Sequence, residues 1–292
     1  MTDTPPGDGI PPIISPAGRE QVCPPLPGQA VSKSPVARWR WWIHLVILGA
    51  YPVVIGGMAF FGSNRVEPAL TSSVRGLLIV SGFELLIFAA IFAVAWASSR
   101  ANAAQLLLSG RLRPRDIPLS LLYSVGLRVG VALAGAIVAA GFIVTGALTV
   151  DQLEDFVAAN RPEVESLVDV TALGNNPLYM FLNATLVSFV VAGFREELWR
   201  AGVLAGFRAI WPKRFDSRKG QLLAVSFAAV LFGIGHISQG AMAVFLTAVL
   251  GFLLGAIMVF HRSIWPAVLA HGAFNATSFL LLPWAMKYLP AL

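Results

Sequence analysis

Glu196, Glu197, His236, His271 and Asn275 are ionisable or polar residues set inside strongly apolar stretches of the last third of the chain. A charged side chain at the centre of a membrane helix costs about 2.5–3.5 kcal/mol on insertion scales, so such groups are not carried there without a function. Two carboxylates, two imidazoles and an amide on three separate apolar segments are the parts of a hydrolase working inside a membrane.

Their spacing adds detail. In Arg195-Glu196-Glu197-Leu198-Trp199-Arg200, Glu196 and Arg200 stand four apart and share a helical face. An arginine there would hold one carboxylate charged, while crowding favours a proton on its neighbour, the split a general base needs. The same residues also read as interfacial charges at a helix end. Phe232-Gly-Ile-Gly-His236 puts an aromatic ring one turn before an imidazole, although a lone histidine near a helix end also reads as a satisfied polar residue. His271 and Asn275 are again four apart, on a segment otherwise filled by residues such as Trp265, Val268, Leu269 and Phe274. They suit either a helix–helix hydrogen bond or a site for a polar reacting atom.

The elements that must hold these groups are membrane helices. Of the 292 residues, 57% are hydrophobic and only 12% charged, and the mean hydropathy is +0.73. These values exclude a soluble globular domain. Seven apolar runs, near 41–62, 76–98, 118–148, 178–209, 221–239, 240–260 and 264–288, predict an all-α polytopic membrane bundle of about seven transmembrane helices. Residues 1–40 are rich in Pro and Gly and predict a disordered tail, leaving 41–292 as the bundle. Cys23 is the single cysteine, so the chain forms no internal disulfide and has no cysteine-based metal site. No internal repeat is evident, which weakens a transporter built on inverted halves.

Charge sets the expected topology. Arg38 and Arg40, Arg100 to Arg115, Lys213 to Lys219 and Arg262 all fall in alternate loops, whereas the 149–177 loop carries six acidic residues against Arg161. The tail is then cytoplasmic and the net charge of +6 reflects topology, not nucleic-acid binding. A composition rich in Ala, Gly and Arg suits a bacterial cytoplasmic membrane. Two further intramembrane charges, Glu84 and Arg128, are expected to pair with each other, and His44 and His261 read as interfacial. By helix rise alone, His236 falls at a different depth from Glu196 and His271 unless its helix tilts or shifts.

The order Glu-Glu…Arg, Phe-x-x-x-His, His-x-x-x-Asn on successive apolar segments resembles the CPBP (CAAX protease and bacteriocin-processing) family of intramembrane proteases, also called Abi or Rce1-like. Its third block, Ser263-Ile-Trp-Pro-Ala-Val-Leu-Ala-His271-Gly-Ala-Phe-Asn275, is the closest match, and the likeness covers 178–280. The resemblance implies hydrolysis of a peptide bond in a membrane-associated or lipidated, CAAX-like peptide. Glu196, helped by His236, would polarise a water, and His271 and Asn275 would stabilise the oxyanion, with Arg200 and Phe232 in support. The family pattern has three residues between the glutamates and the arginine, and here there are two. The catalytic glutamate is therefore Glu196 or Glu197, with Glu196 favoured because it stands one turn before Arg200. No cofactor is required on this mechanism; a competing account makes Glu196, His236 and His271 ligands of a divalent metal such as zinc. The shifted arginine also admits a non-catalytic membrane scaffold or a bacteriocin self-immunity protein. The expected partners are the lipid bilayer and the peptide.

Overall fold

The computed structural model describes residues 36–62, 72–160 and 168–288. The expected disordered tail therefore lies almost wholly outside the described residues. Every regular element among the described residues is a helix, in the order α1 (Arg38–Gly62), α2 (Val74–Ser99), α3 (Asp116–Val144), α4 (Val150–Ala159), α5 (Val170–Asn175) and α6 (Pro177–Leu182). A π-helical segment (Asn183–Phe194) then runs directly into α7 (Arg195–Ile210), followed by α8 (Pro212–Phe215), α9 (Arg218–Ile234), a 3-10 turn (Ile237–Gln239), α10 (Ala241–His261) and α11 (Trp265–Tyr288).

Each of the seven expected segments is helical, but among the described residues five helices, not seven, are long and apolar enough to cross a membrane. They are α1, α2, α3, the continuous Pro177–Ile210 rod and α10. The other two fall short for different reasons. At 17 residues, α9 stops at Ile234 and turns at His236. In α11, His271, Asn275, Thr277, Ser278 and Pro283 dilute an otherwise apolar run.

Local sequence explains where the helices begin. Ser73 and Ser217 accept hydrogen bonds from the amides of Gly76 and Gly220 at the starts of α2 and α9. Asn176 caps α6, with Pro177 in the first turn where its missing N–H is no loss. The π-helical stretch is visible in the side chains too: the Ser188 hydroxyl donates to the Asn183 carbonyl five residues back at 2.7 Å. Each i→i+5 turn holds an extra residue, so α7 presents a different face from the one α6 would impose.

The core forms around α7. His44 of α1, expected at an interface, is instead fully buried and sits 3.0 Å from the carbonyls of both Ala95 in α2 and Gly202 in α7. Trp199 donates from Nε1 to the Leu48 carbonyl at 2.7 Å. Gly202 and Gly206 let α1 lie directly on α7, against Leu48 and Leu45. On the opposite side α11 packs against the π-helical segment, with Trp265 stacked on Phe194 and Gly272 seated under the Phe189 ring. A Cβ on Gly272 would overlap that ring. Gly272→Val should therefore lower stability by about 1–3 kcal/mol through overpacking, read as a fall in the thermal midpoint in detergent, whereas Gly57→Ala, facing open space in α1, should change stability by no more than about 1 kcal/mol.

Candidate active site

The carboxylate pair stands at the junction where the π-helical segment becomes α7. Glu197 is wholly buried, and so is Arg200; the two form an ion pair at 2.5 Å, three residues apart. The arginine therefore serves Glu197, not Glu196 as its four-residue spacing suggests. Around the guanidinium, Phe232 lies at 5.0 Å and Trp199 at 6.0 Å, and Gly251 and Gly255 of α10 leave it room. Aromatic faces carry the negative part of the ring quadrupole and complement a desolvated cation.

Glu196 has an arginine of its own. Nη2 of Arg195 donates to Oε1 of Glu196 at 3.0 Å, while Nη1 of Arg195 donates to Oε2 of Glu84 at 2.9 Å. Glu84 is thus paired with Arg195 across α2 and α7, and not with Arg128. The expectation was one arginine holding one carboxylate charged; instead each carboxylate has an arginine of its own. Arg195 was not singled out in the sequence, although a cation immediately before the pair in an apolar run was the available signal.

His271 joins the two carboxylates. Its Nδ1 is 3.2 Å from Oε1 of Glu197, and its Nε2 is 3.8 Å from Oε2 of Glu196. Glu197 is ion-paired and accepts only, so Nδ1–H is the donor. Nε2 is then a donor in the doubly protonated ring and an acceptor in the neutral one. One turn on, Asn275 is half-buried and has no hydrogen-bond partner among the described residues, so its amide is free to bind a ligand.

His236 stands apart from this cluster, without an ion pair or hydrogen bond to either carboxylate among the described residues. Its Nδ1 lies 2.8 Å from the Phe232 carbonyl, an acceptor, so Nδ1 donates and the neutral ring keeps its lone pair on Nε2. Depth is not an obstacle after all. The hairpin of α7 and α9 sets Phe207 against Phe227 and Trp199 against Phe232. Continuing that antiparallel register brings Glu196 level with His236.

Glu196, His236 and His271 form an O,N,N donor set of a kind zinc accepts. Among the described residues, however, no three His, Cys, Asp or Glu side chains are gathered to hold a metal ion.

Beside the site, a groove of about 560 Å³ runs between α2 and the π-helical segment. Phe88, Phe92, Trp96, Val190 and Phe194 line it, and Arg195 is its charged member.

Long apolar helices enclosing paired carboxylates and an imidazole are consistent with a polytopic membrane protein carrying an internal polar site. Residues 178–277, from α6 into α11, match the family described as Rce1-like, type II CAAX prenyl endopeptidase. That region holds every motif residue from Glu196 to Asn275, so the likeness read from the motifs is borne out there. Neither a curated protein nor a solved structure matches the chain.

The buried pair has a measurable consequence. Arg200→Ala leaves Glu197 charged and unpartnered, and should cost about 3–5 kcal/mol of stability. Replacing both residues together, as Glu197→Leu with Arg200→Met, should recover much of that loss, as read by thermal unfolding in detergent. A double variant no more stable than the single one would show that the pair is not the source.

Proposed function

We propose that the protein is an intramembrane endopeptidase that hydrolyses a peptide bond of a membrane-associated or lipidated peptide. The observation that carries this reading is His271 lodged between Glu196 and Glu197 at 3.8 and 3.2 Å in an apolar interior. The family match over 178–277 supports it.

On this reading Glu196 is the general base. Its neighbour Glu197 is committed to Arg200 and His271, whereas Glu196 is partly open and holds Oε2 toward the site. A water held between Glu196 and the Nε2 lone pair of His236 loses a proton to Glu196 as its oxygen attacks the scissile carbonyl. The oxyanion receives hydrogen bonds from the Asn275 amide and from Nε2–H of His271, whose ring enters the step with both protons and keeps them throughout. Collapse breaks the C–N bond, and Glu196 returns the proton to the leaving amine. The apolar groove beside Arg195 admits the apolar part of the substrate from the bilayer. Seven helices cross the membrane in this picture, α9 and α11 included, with the amino terminus cytoplasmic. The mechanism needs no metal.

A second reading, a non-catalytic scaffold or bacteriocin self-immunity protein, draws on one observation. Arg195 engages Oε1 of Glu196, and a neutralised carboxylate is a weaker base.

Purified protein assayed on fluorogenic peptides, plain and prenylated, separates these readings. Wild type should cleave; Glu196→Gln should lose at least about 10²-fold in kcat with its melting temperature kept, and His236→Ala should lose kcat as well. Activity should survive a chelator. Loss to chelator with recovery on zinc would transfer the chemistry to a metal, full activity in Glu196→Gln would remove that residue from the base role, and a wild type inert on every peptide would favour the scaffold.

A further inference from the structure

Arg128 is a mid-helix arginine that the proposed chemistry does not use. It lies 12 residues into the 29 of α3, so on a spanning helix it stands near the centre, where a charge is most costly. Its expected partner, Glu84, belongs to Arg195, and among the described residues no carboxylate pairs with Arg128. Every contact of its guanidinium is to a neutral group. Nη1 donates to the carbonyl and hydroxyl of Ser124, at 3.1 and 2.8 Å, on its own helix. Nη2 reaches across to α11 and donates to the Phe274 carbonyl at 2.6 Å, the Thr277 hydroxyl at 2.6 Å and the Ser278 hydroxyl at 3.0 Å. The guanidinium also covers the Phe274 ring at 4.4 Å.

These contacts converge on one turn of one helix. Phe274 is flanked by Asn275, and Ser278 is seven residues beyond His271, so His271, Asn275 and Ser278 form one stripe of α11. The Thr277 and Ser278 hydroxyls also donate to the Phe274 carbonyl, at 3.2 and 2.8 Å. Arg128 therefore grips the end of the stripe that carries the two proposed oxyanion donors. On its other side α11 is braced by Gly272 under Phe189 and by Trp265 on Phe194. That brace is apolar and sets the spacing of the helices, but directional hydrogen bonds fix rotation about the helix axis. Only the planar fork of an arginine can serve two helices in this way; a lysine brings the charge without the fork.

We propose that Arg128 is a positioning residue, holding α11 in the rotation and depth at which His271 and Asn275 face Glu196 and Glu197. The meaning of that face rests on the peptidase reading; the grip itself does not, and the test separates the two. Amide hydrogen exchange is measured on the full chain in detergent, for wild type, Arg128→Lys, and the α11 variant Thr277→Val/Ser278→Ala. Both variants should speed exchange within 271–282 by about tenfold while α10 stays protected as in wild type. Peptide cleavage is measured alongside. Arg128→Lys should lower kcat by about 10–100-fold with KM little changed, and Arg128→Lys/Asn275→Ala should fall below Asn275→Ala by clearly less than that factor, because part of the effect of Arg128 acts through Asn275 and the rest through His271. Unchanged exchange in α11 would overturn the proposal, and so would losses that simply multiply with Asn275→Ala. If Arg128→Lys fails to fold, the α11 variant decides by the same readouts. Faster α11 exchange in a protein whose wild type cleaves nothing would keep the grip and discard the peptidase.

Discussion

The geometry of the site follows from one buried ion pair. Glu197 and Arg200 are both fully enclosed, and two charges removed from water hold each other only if neither can turn away. Arg200 occupies the space left by Gly251 and Gly255, under Phe232, so Glu197 must point inward as well. Consecutive residues of an α-helix are about 100° apart around its axis. Fixing Glu197 inward therefore swings Glu196 toward the more open side, where Arg195, Glu84 and the apolar groove lie. One carboxylate becomes part of the framework and the other is left partly exposed. The histidine of α11 reaches both because it meets the junction between them.

Two polar grips then hold the helices around that junction. His44 ties α1 to both α2 and α7 through backbone carbonyls, and Arg128 ties α3 to α11. Apolar contact alone gives little direction inside a bilayer, because lipid chains are as apolar as leucine; hydrogen bonds and close glycine contacts supply it instead. The bundle uses both, placing small residues where helices cross and donors where their rotation matters.

Much of this was legible in the sequence. The apolar runs located the helices to within a few residues, and polar groups inside them marked Glu196, Glu197, His236, His271 and Asn275 because such groups are costly there. Partners were less legible. The choice of Glu196 for Arg200 came from the four-residue face rule, whereas an i,i+3 pair satisfies the same helix and is what forms. Glu84 and Arg128 were both visible as intramembrane charges, but opposite sign does not say which helices are neighbours. The depth mismatch of His236 came from assuming that each helix runs from surface to surface. The contacts of Phe232 with Trp199 and of Trp265 with Phe194 set the levels instead, and no span count contains them. Two of the seven runs read as spans, 221–239 and 264–288, form helices that are too short or too polar to qualify on their own among the described residues.

The widened helix from Asn183 to Phe194 has a consequence for how this chain can vary. An ordinary helix tolerates a conservative exchange at almost any position, and loops absorb insertions. Here the residue count between Tyr179 and Glu196 acts as an angular setting. Removing one residue would relax the segment toward ordinary pitch and turn every side chain beyond it to a new bearing, with no substitution anywhere. Natural variation in this stretch should therefore change its exposed residues more readily than its length.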